Sequence, residues 1–198
     1  SELSGATRSA IDRAIWLAAR SGARVTFMSV VMPCLDLSED ARHLVAQQHL
    51  ESVIDEIEKH AQEQLDLLSA EASSKGVDAT ATRCCGTAWY ELLRVAGEQN
   101  HDLVMVGSHR QHGLKQLLLG STGKKLIRKC PVPVWVTSQT ENGKVERVLA
   151  PVDFSETCDR AVALASSLSN EVGAELHLMH AVDYPFERTL HERVSVEE

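Results

Sequence analysis

No apolar run in the 198-residue sequence approaches the ~20 residues of a bilayer span. The segment "SELSGATRSAIDR" carries no signal-peptide core, so a cytoplasmic location is expected. Cys34, Cys84, Cys85, Cys130 and Cys158 are odd in number and form no Cys-x-x-Cys pair. That indicates neither a disulfide framework nor a zinc knuckle and leaves buried or half-buried thiols as the reading. Nine histidines are scattered without a His-Glu-x-x-His or similar ligand pair, and no metal is expected. Basic residues are outnumbered, 20 to 28, giving a formal net charge of −8. A nucleic-acid backbone needs clustered Lys and Arg, so it is not an expected partner.

What is present is an ordinary globular composition, 43% hydrophobic and 24% charged. Ala10, Ile11, Ala14, Ile15, Leu17 and Ala18 make an apolar stripe at helical spacing from Ala6 to Arg20, stopped by Ser21-Gly22. "RVTFMSVV" reads as a strand buried on both faces, and a long amphipathic helix follows from a Ser38 N-cap to Lys75-Gly76. Strand, helix and strand then succeed one another through "VDATATRCC", "TAWYELLRVAGEQ" and "HDLVMVG". "STGKKLIRKC" reads as a helix, and "PVPVWVTS" as a strand that its two prolines assign to a sheet edge. Alternating strands and helices predict an α/β, doubly wound parallel sheet.

After the polar stretch "SQTENGKVE", the strand "RVLAPV", a helix through Leu168 and "AELHLMHAV" repeat the beginning of the chain. An offset of 151 residues brings Ala161, Val162, Ala165 and Leu168 onto Ala10, Ile11, Ala14 and Leu17, and Met179 onto Met28, without a gap. In the second copy a strand precedes the helix; in the first the same offset sets Ser1 opposite Val152. Two readings follow: a fragment of a longer tandem protein, or a re-phased fold in which the strand Arg147 to Val152, from its own or a partner chain, fills the central place.

The stretch "VMVGSHRQHGLKQLLLGSTGKKLIRK" runs a strand through a glycine-punctuated loop into a helix, where open α/β sheets bind ligands. A helix N-terminus suits phosphate, and the hydroxyls of Ser121 and Thr122 can cap the helix or donate to an oxygen. Neither the P-loop nor the Gly-x-Gly-x-x-Gly pattern is present: Leu118 stands where the first P-loop glycine belongs, and Lys125 where magnesium needs a hydroxyl.

"VGSHRQHGLKQLLLGST" resembles the G-x2-G-x9-G-[ST] signature of the universal stress protein (UspA-like) family, with Gly107, Gly120 and Ser121 in register. "RVLAPVDFSET" resembles the family's first strand, with Asp153 at its acidic position, and "LMHAVD" the end of its second. "HDLVMVGSHR" and "CPVPVWV" are similar to its fourth and fifth strands. The resemblance implies a tandem-type member, with an adenine nucleotide alpha hydrolase-like sheet of strand order 3-2-1-4-5. Residues 1–138 would form one domain lacking its first strand, 139–146 a linker, and 147–198 the beginning of a second repeat.

The resemblance also implies a stress-response protein with an ATP site. Carried over residue by residue, the first domain offers Val30, Gly107, Gly120, Ser121 and Thr122 to a nucleotide, and the second copy offers Asp153 and Ala181. Arg110 replaces the family's second glycine. Its side chain either closes the phosphate pocket, the preferred reading, or pairs with a phosphate. The implied cofactor is ATP with magnesium, and the implied partner is a second copy joined through Val132 to Thr137. The alternative is a dimerising scaffold of the same family that binds no nucleotide.

Blander roles stand beside these. Gly107 and Gly120 also suit turns and close packing, Ser121 and Asp153 suit helix capping, and Trp16, Trp89 and Trp135 suit packing. His109 and His112 read as exposed loop residues. Nothing pairs a nucleophile with a base, so at most slow ATP hydrolysis is expected and an unrelated α/β enzyme is disfavoured.

Overall fold

The computed structural model describes residues 5–31, 47–108, 119–138 and 144–182. The chain divides into two compact units, 1–142 and 143–198. In the first, α1 (Gly5–Ser21) buries Ile11, Ile15 and Ala18, the apolar stripe read from the sequence. It stops where Gly22 takes a left-handed φ of +67°, a conformation glycine adopts without Cβ strain.

Strand β1 (Val25–Val31) lies parallel to β2 (Ala79–Cys85), in register from Val25↔Ala79 to Val31↔Cys85. Between them α2 (Gln47–Ser74) lays Leu65, Leu68 and Ala72 against Phe27, Ile11 and Ile15, which makes one core. The expected helix start at Ser38 lies outside the described residues. A second core forms where α3 (Ala88–Glu98) and α4 (Ser121–Lys129) meet β3 (Val104–Ser108) and β4 (Val134–Ser138). Its buried residues are Ala96, Val104 and Leu126. The parallel pair β3–β4 runs from Val104↔Val134 to Ser108↔Ser138.

Among the described residues β4 pairs with β3 alone, as expected of an edge strand, but the prolines are not the cause. Pro131 and Pro133 precede β4, and the Pro133 carbonyl accepts from the Val104 N–H at 3.0 Å, an ordinary ladder distance. The missing proline N–H groups are never asked for.

The two pairs correspond to positions 3-2 and 4-5 of the doubly wound order. Between β1 and β3, the described residues place a channel of about 1450 Å³ instead of a ladder. In the second unit, β5 (Arg147–Pro151) is hydrogen-bonded in parallel to β6 (Glu175–Met179) across helix α5 (Glu156–Val172). Among the described residues this departs from one of the expected alternatives, in which the strand Arg147 to Val152 fills the central place of the first sheet within its own chain. A neighbouring strand joined by one short crossover costs less closure entropy than a distant slot.

The repeat is visible in three dimensions. Helices α1 and α5 are both 17 residues long, their ends are each displaced by 151 positions, and Gly173 repeats the φ of +67° found at Gly22.

Charged groups shape the surface over the cores. The Arg13 guanidinium, itself buried, lies 5.0 Å from the Trp16 ring centroid and 6.0 Å from that of Trp135. Lys125 and Lys129 sit 4.8 and 5.1 Å from the Trp89 centroid. The tryptophans therefore pack as expected but also hold cations. The thiol expectation needs one correction: Cys158 is buried and Cys84 and Cys130 half-buried, but Cys85, at the end of β2, is exposed.

Helices α1 and α2 are clamped by Glu71, whose carboxylate receives Arg8 Nη1 at 2.7 Å and Nη2 at 2.5 Å, and Lys75 Nζ at 2.7 Å. These bonds, that of Arg8 foremost, hold the Glu71 pKa at about 2, below its ordinary 4.5. A depressed carboxylate pKa stabilises the fold above pH 4.5 and loses that contribution as pH falls toward 2. With the Arg8 side chain 40% exposed, solvent screening reduces the effect to about 1 kcal/mol. Glu71→Gln should accordingly flatten the stability profile between pH 4.5 and 2 in urea titrations; an unchanged slope would show that the clamp is energetically silent.

Candidate functional site

The candidate residues fall into two groups, one in each compact unit, each near the C-terminal ends of parallel strands. In the first unit, Gly120 is the N-cap of α4, with extended backbone (φ −60°, ψ 170°) and no side-chain hydrogen bond to the first turn. Ser121 is exposed and Thr122 half-exposed at that helix start. The first-turn N–H groups thus gain no capping side chain from Gly120 and carry the partial positive charge of a helix N-terminus. Lys124 and Lys125 follow within the same turn and the next.

Gly107, the fourth residue of β3, answers to close packing. A Cβ built there would collide with the backbone carbonyl of Ala6 and approach the Thr7 nitrogen at 2.9 Å. The absent side chain lets the first turn of α1 lie directly on β3, an approach only glycine permits. Nearby, Ser9 Oγ donates to the Ser138 carbonyl at 2.8 Å and Ser108 Oγ to the Thr137 carbonyl at 2.9 Å. These bonds hold α1, β3 and β4 together at the same end of the sheet.

Val30, assigned to the residue after a strand, is instead inside β1, paired in register with Cys84; β1 extends one residue beyond it. The β-branched run Val30-Val31 continues the ladder where the repeat, at Ala181, has already left it. Arg110, His109 and His112 lie outside the described residues.

In the second unit, Asp153 follows β5 and precedes α5. Its Oδ1 accepts from the Ser155 N–H at 3.0 Å and the Ser155 hydroxyl at 2.7 Å, while Ser155 Oγ accepts from Cys158 N–H at 3.2 Å. The hydrogen bonds from Ser155 keep the Asp153 carboxylate below its ordinary pKa. The cap of α5 is therefore Ser155, not Asp153, which orients the capping serine through an Asx turn instead of capping the helix itself.

Two neighbours escaped sequence reasoning. Phe154 adopts a left-handed φ of 62°, is 78% exposed, and lies 4.6 Å centroid to centroid from His180. The His180 Nδ1–H donates to the Val152 carbonyl at 2.6 Å. Asp153, Phe154, His180 and Ala181 therefore cluster where β5 and β6 end. A "DFS" turn after a strand and a histidine just past its neighbour were the available signals, but φ > 0 at a phenylalanine is not encoded in any local pattern.

Comparison with known proteins accords with this geometry. The profile of the Universal stress protein family matches residues 2–138 and again 144–197. Universal stress protein YxiE of Bacillus subtilis is 28% identical over 127 residues, covering 62% of this chain and 86% of that one. Universal stress protein E of Photorhabdus laumondii is 24% identical across 89% of this chain, which spans 58% of that relative's length. A universal stress protein from Archaeoglobus fulgidus superposes with a TM-score of 0.68 at 24% identity, over 96% of this chain and 66% of that one. No helix among the described residues is long and apolar enough to cross a membrane. With the profile matched almost end to end and the strand–helix order in agreement, the chain belongs to the universal stress protein family.

Proposed function

We propose that the protein is a stress-response protein carrying an adenine-nucleotide site of the family's type, with the start of α4 in the first unit as its phosphate-binding part. The observation that carries this reading is the start of α4, where Gly120 contributes no side-chain cap and Ser121 and Thr122 present hydroxyls beside the first-turn N–H groups. Such an end favours an anion. The second unit, by itself, offers at the ends of β5 and β6 a carboxylate, Asp153, and a tilted aromatic contact between Phe154 and His180. ATP with magnesium is the ligand to test. Nothing in either cluster activates a water, so retention of nucleotide, and not turnover, is the proposed activity.

Arg110 is the proposed brake on the phosphate side. Calorimetric titration with ATP and magnesium should find weak or no binding to the wild type, and Arg110→Gly should gain at least about tenfold, roughly 1.4 kcal/mol. Tight wild-type binding abolished by that substitution would assign Arg110 to the phosphate instead.

A second reading, a scaffold that dimerises without nucleotide, is favoured by the free side of β4. A two-fold pairing through Val132 to Thr137 would let each copy supply the same patch. Light scattering at micromolar concentration should then give twice the 21.7 kDa chain mass; a monomeric mass removes this reading.

A further inference from the structure

Helix α4 carries four exposed cations, Lys124, Lys125, Arg128 and Lys129, within nine residues of a chain whose net charge is −8. Gly123 and Leu126 turn the other side of the helix inward, so helical geometry sets the cations on the outer face. Arg8, Arg24, Lys75, Arg83 and Arg94 of the same unit each meet a carboxylate. Among the described residues none of the four α4 cations does. Lys124 with Arg128, and Lys125 with Lys129, are like-charge pairs four residues apart, which cost a helix stability.

Trp89 of α3 positions two of these charges. The Lys125 and Lys129 ammonium groups lie 4.8 and 5.1 Å from the same ring centroid. A carboxylate that reaches both relieves their repulsion. Exposed ion pairs contribute little singly, so an outer helix face such as this one needs an occupant that presents several carboxylates together.

The first unit itself contains such a surface. Helix α2 holds seven carboxylates against one cation, Lys59. Its Leu65, Leu68 and Ala72 face the core, while Glu56, Glu63 and Asp66 are exposed, and Leu67 beside them is 62% exposed. Glu63 meets no cation among the described residues, and Asp66 accepts only the Gln62 amide. By contrast, Asp12 of α1 and Glu91 and Glu98 of α3 are engaged by Arg8 and Arg94. Each of the two faces sets charge of one sign around an exposed aliphatic residue, Ile127 on α4 and Leu67 on α2.

These faces point away from each other within one unit. On β3, Gly107 packs against α1, whereas Val104 and Val106 belong to the core under α3 and α4. Neighbouring positions of a strand face opposite sides, and α2 shares its core with α1. Helices α2 and α4 therefore cover opposite sides of the strands, and contact between them takes a second copy.

We propose that the basic face of α4 docks the acidic outer face of α2 of a second copy, so that copies associate head to tail. The contact is heterologous, unlike a two-fold pairing through β4. A nine-residue helix covers much less than the ~1,200 Å² of a stable interface, so the association is weak and concentration-dependent.

The test is analytical ultracentrifugation of the full 198-residue chain. At about 0.1 M salt, where repulsion between distant charges is largely screened, the wild-type mass should rise above 21.7 kDa as concentration approaches millimolar. Raising salt to about 1 M should return it to the monomer, because the contacts themselves are then screened. Lys125→Gln with Arg128→Gln, and separately Glu63→Gln with Asp66→Asn, should each stay monomeric. Mixed in equal amounts they keep one working contact, and the complex should stop at twice the chain mass, which also shows that both variants are folded. A wild type monomeric throughout, association that strengthens with salt, or a mixture that stays monomeric would each overturn the proposal. So would association kept by both variants, which would belong to the edge of β4.

Discussion

Gly107→Ala should cost the first unit about 3 kcal/mol, at the upper end for overpacked sites. The added methyl meets the Ala6 carbonyl and the Thr7 nitrogen, both backbone atoms in the first turn of α1. A flexible side chain could swing aside; a helix can move only as a body. Moving α1 off β3 strains the bond from Ser9 to the Ser138 carbonyl and separates Arg13 from Trp135. Urea unfolding followed by tryptophan fluorescence measures the loss. A change below about 0.5 kcal/mol, the range of ordinary surface substitutions, would show that α1 can lift from the sheet at little cost. In that case Gly107 would be left to a ligand.

Leu126→Ala should be of similar size, about 3–4 kcal/mol, by removing a side chain with no exposed surface from the middle of the second core. The buried members of its cluster, Ala96 and Val104, are small, and the larger Leu92 and Leu93 lie only partly buried at its edge. The same substitution carries a control on the nucleotide proposal. Leu126 lies in the second turn of α4, beyond the Ser121–Thr122 start, so the folded fraction should bind anions as the wild type does. A loss of stability below about 1 kcal/mol would mean that α3 and α4 collapse onto the vacancy.

The helices and strands were legible because each is written in periodicity. The stripe Ala10 to Ala18 and the alternation of strand and helix needed no tertiary information, and the 151-residue repeat predicted two helices of matching phase. The site was less legible. Gly107 is a glycine in a signature loop by sequence, and a contact surface for α1 by structure; only the position of Ala6, a hundred residues away, distinguishes the two. Val30 was carried over from the family resemblance as the residue after a strand, yet β1 runs through Val31, seven residues where β6 has five. Local propensity extended the ladder past the point where the analogy ended it. Asp153 was read in two ways, and its bonds to Ser155 exist whether or not a ligand arrives. The split of the candidate residues between two units was already expected from the 151-residue repeat, which put Asp153 and Ala181 in the second copy.

The channel has a mechanical consequence for the first unit. Its halves, β1–β2 and β3–β4, touch through helices α1 and α3 instead of sharing a ladder. Hydrogen-bond ladders are directional and hold neighbouring strands at a fixed 4.7–4.9 Å, whereas dispersion contacts are weak individually and change gradually with distance. Among the described residues α1 meets β1, β3 and β4, so it is the element that holds the two strand pairs of the unit to one another.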